Sequence, residues 1–99
     1  MEKIRTLLSR KYYLLSSHIF LTLKSHKEHE ESIVLEVTNN GGEISFSFTD
    51  LNTNDVTSFV NPVSGSYIVR VNKNTKIKLL ILAKGAIGSY KISRKIVVE

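Results

Sequence analysis

Between Ile19 and Val98, run after run of the chain sets an apolar residue at every second position, with polar stretches between the runs. Successive side chains of a β-strand point to opposite faces, whereas an amphipathic helix repeats its apolar residues every three or four positions. The alternation therefore restricts the chain to sheet with one dry and one wet face. Residues 32–38 set Ile33, Leu35 and Val37 against Val34, Glu36 and Thr38. Residues 43–49 set Ile44, Phe46 and Phe48 against Ser45, Ser47 and Thr49. Between them stands Asn39-Asn40-Gly41-Gly42. Asn and Gly tolerate the positive φ angles of tight turns, so a hairpin is expected here.

Further strands are expected over residues 18–24, 56–60, 66–72, 75–83 and 88–98. One short phrase occurs twice, as Gly65-Ser66-Tyr67 and as Gly88-Ser89-Tyr90, each opening a run of alternating residues. Lys84-Gly85-Ala86 reads as a turn. Ile77, Leu79 and Ile81 oppose Lys78, Leu80 and Leu82, so that strand is apolar on both faces at its later end and should lie centrally. Arg94 falls on an apolar row, for which a bulge or an edge position is the expected remedy. Strands joined by short turns are antiparallel. The expected fold is all-β, an antiparallel two-sheet β-sandwich of jelly-roll-like type with about seven strands.

Residues 1–15 read differently. Ile4, Leu7, Leu8, Tyr12 and Leu15 are three and four apart, the spacing of one helix face. Residues 1–17 are thus expected to form a short N-terminal helix or tether, and residues 18–99 a single sandwich domain. An export signal would use Lys3, Arg5, Arg10 and Lys11 ahead of residues 12–23, but Ser16, Ser17 and His18 interrupt the apolar stretch and no small-x-small cleavage site follows. A cytoplasmic location is favoured over export on that ground. No run is long and apolar enough to span a bilayer as a helix.

Ninety-nine residues make one domain able to bury a core without staples. The absence of cysteine excludes disulfides, thiolate metal sites and cysteine nucleophiles. The net charge of +5 is unevenly spread. Residues 1–27 hold six basic groups and one acid, residues 28–69 seven acids and no Lys or Arg, and residues 70–99 eight basic groups and one acid. Either acidic strands lie beside basic ones, or a basic face attracts an anionic partner such as nucleic acid, acidic glycan or lipid headgroups.

The strand Gly65-Ser66-Tyr67-Ile68-Val69-Arg70-Val71 resembles one found in bacterial jelly-roll accessory modules of the pre-peptidase C-terminal and carbohydrate-binding types. The resemblance implies a sandwich that binds rather than catalyses. It carries over no binding residue, and the acidic residues those modules often hold near their start have no clear counterpart here.

Candidate chemistry is sparse. Asp50, Asn52, Asn54 and Asp55 place oxygen ligands as the start of a calcium loop does, but Gly and Glu are missing where an EF-hand needs them. His26-Lys27-Glu28-His29-Glu30-Glu31 offers His-x-x-His beside carboxylates, in what should be a solvated loop. The candidate binding surface comprises Lys76, Lys78, Lys91, Arg94 and Lys95, with Tyr67 and Tyr90 as stacking groups should they be exposed. Lys73 and Lys84 extend the basic set. No nucleophile elbow, phosphate loop or zinc-peptidase motif occurs, and no cofactor is implied. The expected function is a non-enzymatic binding module for a protein or a glycan. The alternatives are a basic nucleic-acid-binding β-domain and a low-specificity hydrolase without a motif. Exposure of Tyr13, Phe20, Phe59, Tyr67 and Tyr90 in a row would favour a glycan platform.

Overall fold

The computed structural model describes residues 2–97. Five strands, β1 (Glu2–Lys24), β2 (Glu31–Asp50), β3 (Val56–Val60), β4 (Gly65–Val71) and β5 (Lys76–Val97), form one antiparallel sheet. β5 runs between β1 and β2 along almost their whole lengths. On the far side of β2, β4 pairs with residues 31–37 and β3 with residues 45–49. β1 therefore forms one edge of the sheet, while β3 and β4 share the other end to end.

The three long strands all bend in the middle. Register slips between Tyr12 and Ser17 in β1, and between Asn39 and Glu43 where β2 crosses β5. Gly42, Gly85 and Leu14 there take φ of 73°, 59° and 52°. The bend divides the sheet into a first arm (the start of β1, the start of β2, β4 and the end of β5) and a second arm (the end of β1, the end of β2, β3 and the start of β5). The arms close on each other. Phe46 of the second packs edge-on to Tyr90 of the first with centroids 5.5 Å apart, and Phe59 of the second lies 4.9 Å from Tyr67 of the first. The core between them holds Ile33, Leu35 and Val37 with Ile44, Phe46 and Phe48, and Ile77, Leu79 and Ile81 with Tyr90 and Ile92.

The buried positions of β2 are odd-numbered before the bend and even-numbered after it, and those of β5 also change parity. An extra residue at the bend does this: it flips the alternation so that both arms keep their apolar rows on the concave side. Two glycines make the crossing tight enough. A Cβ on Gly42 would stand 1.9 Å from the Gly85 carbonyl oxygen, and one on Gly88 1.9 Å from the Thr38 carbonyl oxygen.

Three expectations are corrected. Asn39-Asn40-Gly41-Gly42 and Lys84-Gly85-Ala86 are not hairpin turns but the bends of continuous strands. Seven alternating runs consequently make five strands. There is no N-terminal helix: residues 2–24 form one strand. The step of three from Tyr12 to Leu15 reflects a bulge, and the step of four from Leu8 to Tyr12 is two strand repeats with Arg10 at the position between. Of the expected strand 75–83, residues 76–83 do lie centrally, in β5. Met1 and Val98, included in the expected first and last elements, lie outside the described residues.

Candidate functional surface

The residues singled out from the sequence are dispersed. Arg94 points between the arms. Its Nε and Nη2 each donate to the Glu31 carboxylate at 2.7 Å, and Nη2 also donates to the Lys24 carbonyl at 3.1 Å. The Glu31 side chain is wholly buried and that of Arg94 is 19% exposed. The carboxylate holds the Arg94 guanidinium still higher than its ordinary range, chiefly through these hydrogen bonds, against the opposing effect of burial. A fork-to-fork ion pair, rather than a bulge or an edge, thus accommodates Arg94 on the apolar row.

The same carboxylate accepts from the backbone N–H of His26. His26 Nδ1 accepts in turn from the N–H groups of Glu28 at 3.0 Å and His29 at 3.2 Å. Ser25 donates to the Asn72 carbonyl at 2.7 Å and accepts from the Thr75 N–H at 2.8 Å, stitching this loop to the turn between β4 and β5. His26 and the Glu31 carboxylate are thus bound into a structural knot. An open hollow of about 750 Å³ beside it is lined by Glu28, His29, Glu30, Arg70 and Lys95.

The Asp50 loop is likewise closed on itself. Asp50 accepts through Oδ1 from the N–H groups of Asn52 at 2.8 Å and Thr53 at 3.2 Å, and through Oδ2 from Asn72 Nδ2 at 3.4 Å. The Asp55 N–H donates to Thr53 Oγ1 at 3.3 Å, and Asn54 takes a positive φ of 65°. These are Asx and Ser/Thr turns. Among the described residues no three His, Asp or Glu side chains gather as a metal site would require.

Tyr90 is 2% exposed. Its hydroxyl and that of neighbouring Tyr12 are buried without hydrogen-bond partners. Burial raises both phenol pKa values; the nearby positive charge of Arg10 opposes this at Tyr90 and is outweighed. Tyr67 is half-buried, and its hydroxyl donates to the Val63 carbonyl at 2.6 Å. Neither ring stands free to stack on a ligand face. Of the five aromatics weighed as a platform, Tyr13 and Phe20 alone are exposed, one at the bend and one far along the second arm.

The basic set divides between the outer faces. Residues opposite one another in an antiparallel ladder share a face. On the first arm, Lys95, Ser32 and Arg70 make one rung and Lys91, Glu36 and Ser66 another, with Ser93, Val34 and Ile68 between them. Lys95 also contacts Glu2 at 3.3 Å. On the second arm, Lys78 stands opposite Thr22 and Thr49, and Lys76 opposite Lys24. Lys78 Nζ lies 4.9 Å from the Phe20 ring centroid.

The outer face of the second arm carries what sequence reasoning missed. Phe20 is opposite Leu80, and Leu80 is opposite Ser47. On the next rung, Leu82 and Val60 flank Ser45. Phe20 is 61% exposed, Leu82 44%, Val56 60% and Val60 72%. Because Ser45 is small, a shallow hollow of about 310 Å³ opens between Leu82 and Val60, with Lys84 and Glu43 at its rim. The signal was the doubly apolar run from Leu79 to Leu82. A central position in the sheet accounts for it only if something covers the outer face, and among the described residues nothing does.

No helix among the described residues is long and apolar enough to cross a membrane. No protein-family model matches the chain, and no curated protein matches it. Among solved structures, the chain is similar to the P-domain of Macrobrachium rosenbergii nodavirus, with a TM-score of 0.40 and 13% identity over 97% of this chain and 92% of that one. It is also similar to the Bacillus endospore appendages described as disulfide-linked pili, with a TM-score of 0.42 and 11% identity over 100% of this chain and 92% of that one. Neither similarity is close enough to carry a function across.

Proposed function

We propose that this chain is a non-enzymatic interaction module, a two-layer β-sandwich of jelly-roll-like type made by folding one sheet, and that it binds a protein. One observation carries this reading: the apolar strip of Phe20, Leu80, Leu82 and Val60 on the outer face of the second arm. Large apolar side chains gathered in neighbouring rungs, with polar groups at their margin, suit a protein surface that can cover them. The two exposed aromatics stand too far apart in the strand to form one sugar-stacking row. The dispersal of Lys76 and Lys78 from Lys91 and Lys95 argues against a continuous track for nucleic acid, which would run along one face. The likeness to bacterial accessory modules rests on β4, which lies on the other arm from the strip.

The test is a binding screen with the folded wild type beside a Leu82→Asp, Val60→Asp variant. A protein partner retained by the first and lost by the second supports the reading. Oligonucleotide binding that weakens steeply with salt and falls on Lys91→Ala, Lys95→Ala substitution would replace it with the nucleic-acid reading. Hydrolase activity abolished by one Ser, His or Asp substitution would replace it with an enzymatic one.

A further inference from the structure

We infer that the second half of β1 pairs with the same segment of a second copy of this chain, antiparallel, about a twofold axis through Phe20. This rests on the interaction-module reading and names the partner at one edge of the same arm. β1 pairs with β5 alone among the described strands, so its other edge presents unpaired backbone N–H and C=O groups. Along residues 17–24 the register with β5 is unbroken, and the edge there is a regular template.

The two halves of that edge differ in how they are protected. The first half carries Lys3, Arg5, Arg10 and Lys11. By register, Arg5 shares the face of Arg94 and Arg10 that of Tyr90, so these are inward-pointing charges of the kind that block strand addition. Residues 16–23 contain no Asp, Glu, Lys or Arg. The inner face of this second half is apolar and incompletely covered, and the outer face carries Phe20 between the uncharged His18 and Thr22. Ile19, Leu21 and Leu23 are half-buried, although their partners Ile81, Leu79 and Ile77 are 1%, 0% and 3% exposed. Phe20 projects from the other face, 61% exposed. An added strand would have to be free of Asp, Glu, Lys and Arg, apolar along the inner row and able to cover Phe20 on the outer one, and residues 17–23 themselves meet that description, with Ile19, Leu21 and Leu23 on one face and Phe20 on the other.

The register follows from the side-chain faces. Centring on Phe20 sets Ile19 against the other copy's Leu21, His18 against its Thr22 and Ser17 against its Leu23. Each pair shares a face, so the inner apolar row and the outer strip both continue across the axis. Lys24 falls opposite Ser16 of the other copy, which keeps like charges apart. Such an interface is isologous and closes at two copies.

The chain lacks cysteine, so a single introduced thiol reports register directly. Under mild oxidation, Phe20→Cys should link to itself, while His18→Cys and Thr22→Cys should link only when mixed with each other. Sedimentation of the wild type should show a concentration-dependent dimer. Phe20→Lys, which sets two positive charges face to face, should abolish it with the β circular-dichroism spectrum intact, whereas Tyr13→Lys on the same strand should leave it. A wild type that stays monomeric at its highest soluble concentration, a dimer that survives Phe20→Lys, or His18→Cys linking to itself as readily as Phe20→Cys overturns the inference. None of these results bears on capture of another protein through Leu82 and Val60, so the two readings fail separately.

Discussion

The two arms share three strands and one core, yet their outer faces differ. On the first arm, Lys91, Lys95 and Arg70 are interleaved with Ser32, Ser66, Ser93 and Glu36, so the apolar groups are spread out: exposed Ile68 has the half-buried Val34 beside it, and exposed Ile4 stands two rows away across Lys95. On the second, Phe20, Leu80, Leu82 and Val60 gather around small serines, with Lys78 laid over Phe20. A single exposed apolar residue needs no explanation, but a cluster does. The inner faces have one common task, building the core, although the first arm's also holds the Glu31–Arg94 pair. The outer faces have no structural task in common, and the contrast between them is where a function can be read.

The largest test breaks both arms at once. Gly88→Ala forces a Cβ to within 1.9 Å of the Thr38 carbonyl oxygen at a φ of +147°. The strands must separate at the bend, and denaturant melts should show a loss of about 3 kcal/mol or more. Gly85→Ala has open space around it and should lose only the strain of its left-handed φ, about 1–2 kcal/mol. Equal losses at the two sites would mean that the crossing is not tight.

Glu31→Ala should come next and should act on the first arm's end of the core. It strips Arg94 of its bidentate partner and the His26 N–H of its acceptor. Breaking a buried pair from one side costs about 3–5 kcal/mol. With Arg94 19% exposed, the lower end is expected by equilibrium unfolding.

A smaller effect is expected where the arms meet. The buried Tyr12 hydroxyl has no partner, so Tyr12→Phe should be neutral or stabilising by about 1 kcal/mol, while Tyr90→Phe, whose hydroxyl lies within reach of the Arg10 guanidinium, should gain less. Both phenol pKa values are raised in the folded state, so the neutral phenols contribute stability that is complete below the unfolded value of about 10 and is lost as pH rises above it. The double Phe variant should lose less stability than the wild type between neutral and strongly alkaline pH, measured as the shift in urea midpoint.

The smallest effects on stability separate the faces themselves. Leu82→Ser and Lys91→Ala should each change stability by less than about 0.5 kcal/mol. Leu82→Ser should lower binding of a hydrophobic dye and leave retention on a polyanion column unchanged, and Lys91→Ala should do the reverse. Identical responses would dissolve the distinction between the arms.

The alternation itself was legible, because period two in Ile33–Leu35–Val37 and Ile44–Phe46–Phe48 reflects the burial of one face alone. The bends were not. Asn-Gly chemistry supplies positive φ both to a hairpin turn and to a bulged bend, and the parity change from Val37 to Ile44 is the trace that separates them. A hairpin would have brought residues 32–38 against 43–49, but both segments pair with β5 instead. The helix-like spacing of Leu8, Tyr12 and Leu15 came from Arg10 standing in the inward row and a bulge before Leu15, which together give the four-then-three steps of a helix face. The basic residues could be counted from sequence but not assigned to faces, since Lys78 and Lys91 lie on opposite sides of the bend in one strand. The apolar strip was half visible, as the second apolar face of residues 79–82, but its other half came from Val60 of β3 and Phe20 of β1, neither adjacent in sequence.

The pairing of Glu2 with Val97 bears on how the molecule comes to exist on a ribosome. β1 is synthesised before β2, β3 and β4, and β5, its only strand partner among the described residues, after them, so a growing chain must carry Ile19, Phe20 and Leu21 unpaired while those three strands emerge. Loop closure of this span has to precede any reward from the ladder, which places such a topology among slow folders. The interval before β5 emerges is when the uncharged end of β1 is most open to a chaperone, or to the same strand on a neighbouring nascent chain.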